Sequence, residues 1–132
     1  MNGGHERSVT RLPSDPSAVP AARRFASQAV AHLGHHGEVL DKTRLLVTEL
    51  ATNAVMHANS EIRLSVVPDD DKVRVEVRDD DPNPIQPPCR PDPQAEHGRG
   101  LWLVAAMANS WGVNRNDKGK TVWFEVDSAQ AG

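Results

Sequence analysis

The chain has 132 residues, 38% of them hydrophobic, with 15 Lys and Arg against 18 Asp and Glu and a formal net charge of -3. That length bounds one small domain with a two-layer core, and scattered charges without a basic field argue against a direct nucleic-acid partner. No apolar run approaches the roughly 20 residues that cross a bilayer, and MNGGHERSVT at the start lacks the apolar stretch of a secretory signal.

From these features we expect a cytoplasmic protein with no membrane partner. One cysteine, Cys89, cannot close an internal disulfide, which agrees with a reducing compartment. Residues 1–8 read as a flexible tail, 9–127 as the domain and 128–132 as a second tail, with VTRL near the beginning predicted as an edge strand. Ser14, Asp15 and Ser17 then offer capping oxygens and Pro16 suits the start of a helix. Val19, Ala22, Ala26, Ala29, Val30 and Leu33 recur at helical spacing up to Gly34, a glycine cap. A second helix is predicted over about 38–58.

Two alternating runs follow, Ile62, Leu64, Val66 and Val73, Val75, Val77, separated by PDDDK and predicted as an antiparallel hairpin with one buried face. A later pair, WGV at 111–113 and Val122, Phe124, Val126, is joined through NRNDKGK. Between the hairpins lie a short helical segment, Leu101 to Ala108, and DPNPIQPPCRPDPQAEHG, which holds six of the ten prolines. Prolines at that density exclude a regular helix or a central strand, so the stretch reads as a long surface loop or lid. The sum is an α+β fold: a two-layer α/β sandwich with a mixed, mostly antiparallel sheet covered on one face by helices.

Within the second helix, Glu49, Asn53 and His57 fall at fourth-residue spacing, opposite Leu46, Leu50 and Ala54. A carboxylate, a carboxamide and an imidazole share one polar stripe. The glycines of HGRGLWLV could supply backbone amides to phosphates near it, so the pattern suggests a nucleotide site with a metal ligand and a base. The bland alternative is a solvated helix face. His35 and His36 have no second ligand pair at zinc spacing. Trp102, Trp111 and Trp123 read as core or interface residues, and Cys89 as an exposed bystander among prolines.

Four boxes together resemble the GHKL (Bergerat-fold) ATP-binding domains: ELATNAVMHA their N-box, VEVRDDDP the aspartate-containing adenine box, HGRGLWLV the second glycine box and GKTVWFEV the last. The short standalone form, with RRF in the first helix, is most similar to the bacterial anti-sigma-factor serine/threonine kinases. That resemblance implies ATP and Mg2+ as cofactors. It implies Asn53 as a metal ligand and Glu49 as the group that orients or deprotonates an attacking hydroxyl. Asp79 would accept a hydrogen bond from the adenine amine. Gly98 and Gly100, with Leu101 behind them, would present amides to the phosphates at a helix start. Arg99 either adds charge there or faces solvent. His57 either lines the phosphate end or packs locally, and Thr121 would place a hydroxyl near the adenine pocket through water.

Two departures from the family pattern are visible. Asp81 and Asn83 stand where glycines are usual after the aspartate, and Lys120 replaces a small residue, for which a hairpin-turn position is the plainer reading. Relatives of this type imply a STAS-domain antagonist and a sigma factor as partners, and a homodimer is compatible with an exposed sheet edge near the first strand. The resemblance implies a kinase that phosphorylates such an antagonist. The alternative is a binding module that keeps the fold but sequesters a partner without phosphotransfer. A histidine-kinase catalytic domain fits poorly, because His57 belongs to the metal helix rather than to a separate phosphoacceptor hairpin.

Overall fold

The computed structural model describes residues 7–57, 60–81 and 100–127, with the backbone alone at His57. The proline-rich stretch with Cys89, both expected tails outside this range, and Gly98 and Arg99 lie outside the described residues. Eight elements run in the order β1 (Ser8–Leu12), α1 (Ala18–His32), α2 (Glu38–His57), β2 (Ile62–Asp69), β3 (Lys72–Asp79), α3 (Gly100–Met107), β4 (Ser110–Asn116) and β5 (Gly119–Asp127). Strand β1 begins at Ser8, just inside the expected tail, and Arg7 before it pairs with Glu76 at 3.4 Å.

The sheet order is β1-β2-β3-β5-β4, and each described pairing is antiparallel. Both predicted hairpins form. The edge expected at the beginning of the chain is β1, and β4 is the other edge. Joining the two hairpins is the pairing of β3 with β5, which sets Asp79 opposite Lys120 and Val75 opposite Phe124.

All three helices lie on one face. Helix α1 packs on α2 and over β1 and β2, α2 lies over β2, β3 and β5, and α3 packs on α2 and β4. Alternation in the strands sends Ile62, Leu64, Val66, Val73, Val75, Val77, Val122, Phe124 and Val126 into the core under these helices. From the helices come Ala22, Ala26, Val30, Leu46, Val47, Leu50 and Ala54. Small alanines on α1 let it approach α2 closely. No described helix is long and apolar enough to cross a membrane.

The opposite face carries charge. Arg74 lies over the Trp123 ring, 4.0 Å from its centroid, and pairs with Glu76 at 2.9 Å and Glu125 at 3.5 Å. Trp123 also lies against Gly112, where an added Cβ would come within 2.8 Å of the indole. The indole, with the Arg74 guanidinium over its face, helps close a side of the sheet that no described helix covers.

Candidate functional site

Asp79 lies at the end of the sheet where α2 leads into β2, as the connections show. Helix α2 ends at His57 and β2 starts at Ile62, so the carboxyl-terminal half of α2 overlies the end where β2 begins. Because β2 and β3 are antiparallel, that is also where β3 finishes: Arg63 faces Arg78, and Asp79 follows. The Asp80 N–H donates to Ser60 Oγ at 2.9 Å and Arg63 pairs with the Asp80 carboxylate, which tie the two connections together. Strand β5 starts at this end as well, with Gly119 and Lys120.

Helix α3 points back to it. Met107 is followed by a short turn in which the Asn109 N–H donates to the Glu125 carbonyl at 2.8 Å, at the far end of β5. Eight residues of helix then return about 12 Å along the molecule, so the amino terminus of α3, at Gly100, is directed toward the Asp79 end. The start of a helix, with its first amides and the positive end of its dipole, is where an anion is favoured. Leu101, expected at this helix start, is buried and anchors the first turn in the core.

Glu49 and Asn53 occupy one flank of the buried face of α2, both partly exposed. Arg44 lies on the opposite flank and lines a groove of about 350 Å3 with Pro20, Arg23, Arg24, Ser27 and Gln28 of α1. That groove is thus separated by α2 from the polar stripe. Since α1 takes one side of α2 and α3 the other, Glu49 and Asn53 face the α3 side.

Asp79 is 4% exposed, and Lys120, opposite it, is 8% exposed. Lys120 Nζ lies 3.0 Å from Asp79 Oδ1 and 3.5 Å from Asp81 Oδ2. The Asp81 N–H donates to the same Asp79 oxygen at 2.9 Å, an Asx turn that lets an aspartate hold a position where glycine is usual. Gly119 has φ +149, and an added Cβ would sit 2.1 Å from the Asp79 carbonyl oxygen. Only glycine lets β5 begin this close to the end of β3.

Two expectations are corrected by strand parity. Lys120 is not a solvated turn lysine, because it shares the inward face of β5 with Val122, Phe124 and Val126. Thr121 shares the outer face with Trp123 and Glu125, and its hydroxyl accepts a hydrogen bond from Arg78 Nη1 at 3.3 Å. The structure therefore brings Lys120 rather than Thr121 to Asp79. Period two along GKTVWFEV carries this information, counted backwards from the three apolar residues.

The family described as the histidine kinase-like ATPase domain matches residues 12–126. The chain is similar to serine-protein kinase RsbW of Bacillus subtilis (strain 168), 27% identical over 128 residues that cover 85% of this chain and 79% of that protein. RsbW of Bacillus velezensis is also 27% identical, over 122 residues covering 80% and 76%. In fold the chain resembles the crystal structure of the RsbU and RsbW domains of Rv1364c from Mycobacterium tuberculosis, with a TM-score of 0.71 and 16% identity. That likeness covers 93% of this chain and 32% of the mycobacterial one, so the chain spans about a third of that protein and shares its fold. With a helix-covered antiparallel sheet and a match over nearly its whole length, the chain belongs to the histidine kinase-like ATPase domain family.

Proposed function

We propose that this domain binds Mg2+-ATP at the Asp79 end of the sheet and transfers the γ-phosphoryl group to a serine or threonine of a partner regulatory protein. The observation that supports this reading is the packing of α2 against α3, β3 and β5, the elements that carry the four sequence boxes, with Asp79 and Lys120 paired where β3 ends and β5 begins. Similarity to RsbW serine-protein kinases supports the phosphotransfer. By the same resemblance, the partner is a STAS-type antagonist, with a sigma factor competing for the domain.

Among the described residues no three His, Cys, Asp or Glu side chains form a cage for a cation. Magnesium bound through phosphates and water needs only one or two protein ligands, and Asn53 is a hard oxygen donor that suits it. Mg2+ held by Asn53 would supply charge neutralisation at the transferring phosphate. Glu49 orients the acceptor hydroxyl and takes its proton while the hydroxyl oxygen bonds to the γ-phosphorus and the bridging oxygen departs with ADP. Gly100 opens α3 with its amides toward the phosphates. By the resemblance Gly98 presents its amide to the phosphates, Arg99 either adds charge there or faces solvent, and His57 either lines the phosphate end or packs locally.

Calorimetric titration with ATP should give Mg2+-dependent binding, and Asn53→Ala should abolish the metal dependence. Glu49→Ala should keep nucleotide affinity and lose transfer of labelled phosphate to a STAS antagonist by about 100-fold or more. Undiminished transfer in that variant would remove Glu49 from its role, and no ATP binding by the parent would remove the whole reading. A second reading, a partner-sequestering module, is favoured by one observation, the Lys120 ammonium on the Asp79 carboxylate. ATP binding without transfer to any authentic antagonist would select it.

A further inference from the structure

Two of the residues that depart from the family pattern, Asp81 and Lys120, are 39 positions apart in the chain and adjacent in space. Lys120 Nζ reaches Asp79 Oδ1, Asp81 Oδ2 and, at 3.5 Å, the Asp81 carbonyl oxygen. Alternation in β5 points position 120 into the core side of the sheet, and Gly119 brings it against the end of β3. The extra negative charge at 81 and the positive charge at 120 therefore compensate each other across Asp79.

We propose that Lys120 is a specificity-determining residue of the nucleotide site. Its ammonium, on Asp79 Oδ1, competes with an adenine amine for the same carboxylate, so the base contributes little to nucleotide choice and the phosphate end carries the binding. This rests on the reading of the Asp79 end as the base end of that site. An ammonium brings its own positive charge to the carboxylate and an adenine amine does not, so the lysine is the stronger donor of the two. Adenine would have to displace it and leave the cation with Asp81 alone. With the lysine removed, Asp79 becomes a buried acceptor whose unmet capacity favours a ligand that brings an N–H.

The test compares ATP with ITP, whose base carries a carbonyl oxygen in place of the adenine amine. Calorimetry in Mg2+ would be run on the parent, on Lys120→Thr, and on Lys120→Thr combined with Asp81→Gly, alongside thermal unfolding of each protein without nucleotide. The parent should bind the two nucleotides within about threefold of each other. Either variant should prefer ATP by about tenfold or more. The single variant leaves two carboxylates facing each other without their cation and should unfold at a lower temperature than the parent. If it does not fold, the double variant carries the comparison. A tenfold ATP preference already present in the parent and unchanged in the variants would overturn the inference and leave the nucleotide site standing. A shift in unfolding temperature with no change in the ATP to ITP ratio would also overturn it, reducing Lys120 to a structural part. No binding of either nucleotide by any of the three proteins would overturn the site reading and the inference together.

Discussion

Glu125 shows what a single side chain contributes on the face of the sheet that no described helix covers. Ser110 donates to its Oε1 at 2.6 Å, and Lys72 and Arg74 stand nearby. The Ser110 hydrogen bond, followed by the two cations, outweighs partial burial and holds the carboxyl below its ordinary 4.5. A carboxyl lowered in the folded state gives stability that is present above its unfolded value and is lost as pH falls through the folded one. Ser110→Ala should therefore move the Glu125 titration up toward 4.5, and unfolding followed against pH should lose part of its acid sensitivity below that value. A titration of Glu125 by carbon-13 NMR that stays put in the variant would assign the shift to the cations instead. Parity decides roles at this scale too. Counting by twos from Phe124 places Lys120 inward and Thr121 outward, so the face each takes is legible in the sequence, whereas the partner Lys120 meets there is set by the pairing of β3 with β5.

Among the elements, α1 shows how local chemistry sets a boundary. Its helix stops at His32, where the Gly34 N–H donates to the Ala31 carbonyl at 2.9 Å and the His35 N–H to the Val30 carbonyl at 3.2 Å. That is a Schellman ending, and it needs the φ of +92 that Gly34 adopts. A Cβ there would touch nothing within 4 Å, so the cost of Gly34→Ala is conformational alone. Chemical denaturation should register a loss of about 1 kcal/mol; a neutral result would mean that the chain ends α1 another way. The beginning of the helix is less direct than its capping residues imply. Ser17 stands at the cap without a side-chain bond to the helix, and Asp15 accepts from the Ser17 N–H and hydroxyl instead. Glycine at the end of a helix has one conformational use, whereas several oxygens before a helix compete for the same amides, which is why the end was plainer to read than the start.

At the scale of the fold, the core of the described residues is one continuous layer between three helices and five strands, and Phe124 is the largest fully buried side chain among them. Phe124 lies on β5, between β3 and β4, opposite Val75 on one side and Trp111 on the other. Phe124→Ala should lower the unfolding free energy by about 3–5 kcal/mol, measured by urea or thermal unfolding. A loss under about 1 kcal/mol would show that the site collapses freely. The same substitution would also loosen the strand that carries Gly119 and Lys120 to Asp79.

The sequence by itself determined the class of fold, the helices, both hairpins and the Glu49 to Asn53 stripe, because periods of 3.6 and 2 follow from backbone geometry and from the need to bury one face of each element. It could not decide that β5 would lie between β3 and β4, or that Lys120 would thereby reach Asp79 and Asp81. That contact joins residues some 40 positions apart through a strand pairing with no local signature. Only packing of the two hairpins side by side under a common layer of helices selects it, since that arrangement alone buries the apolar faces of both.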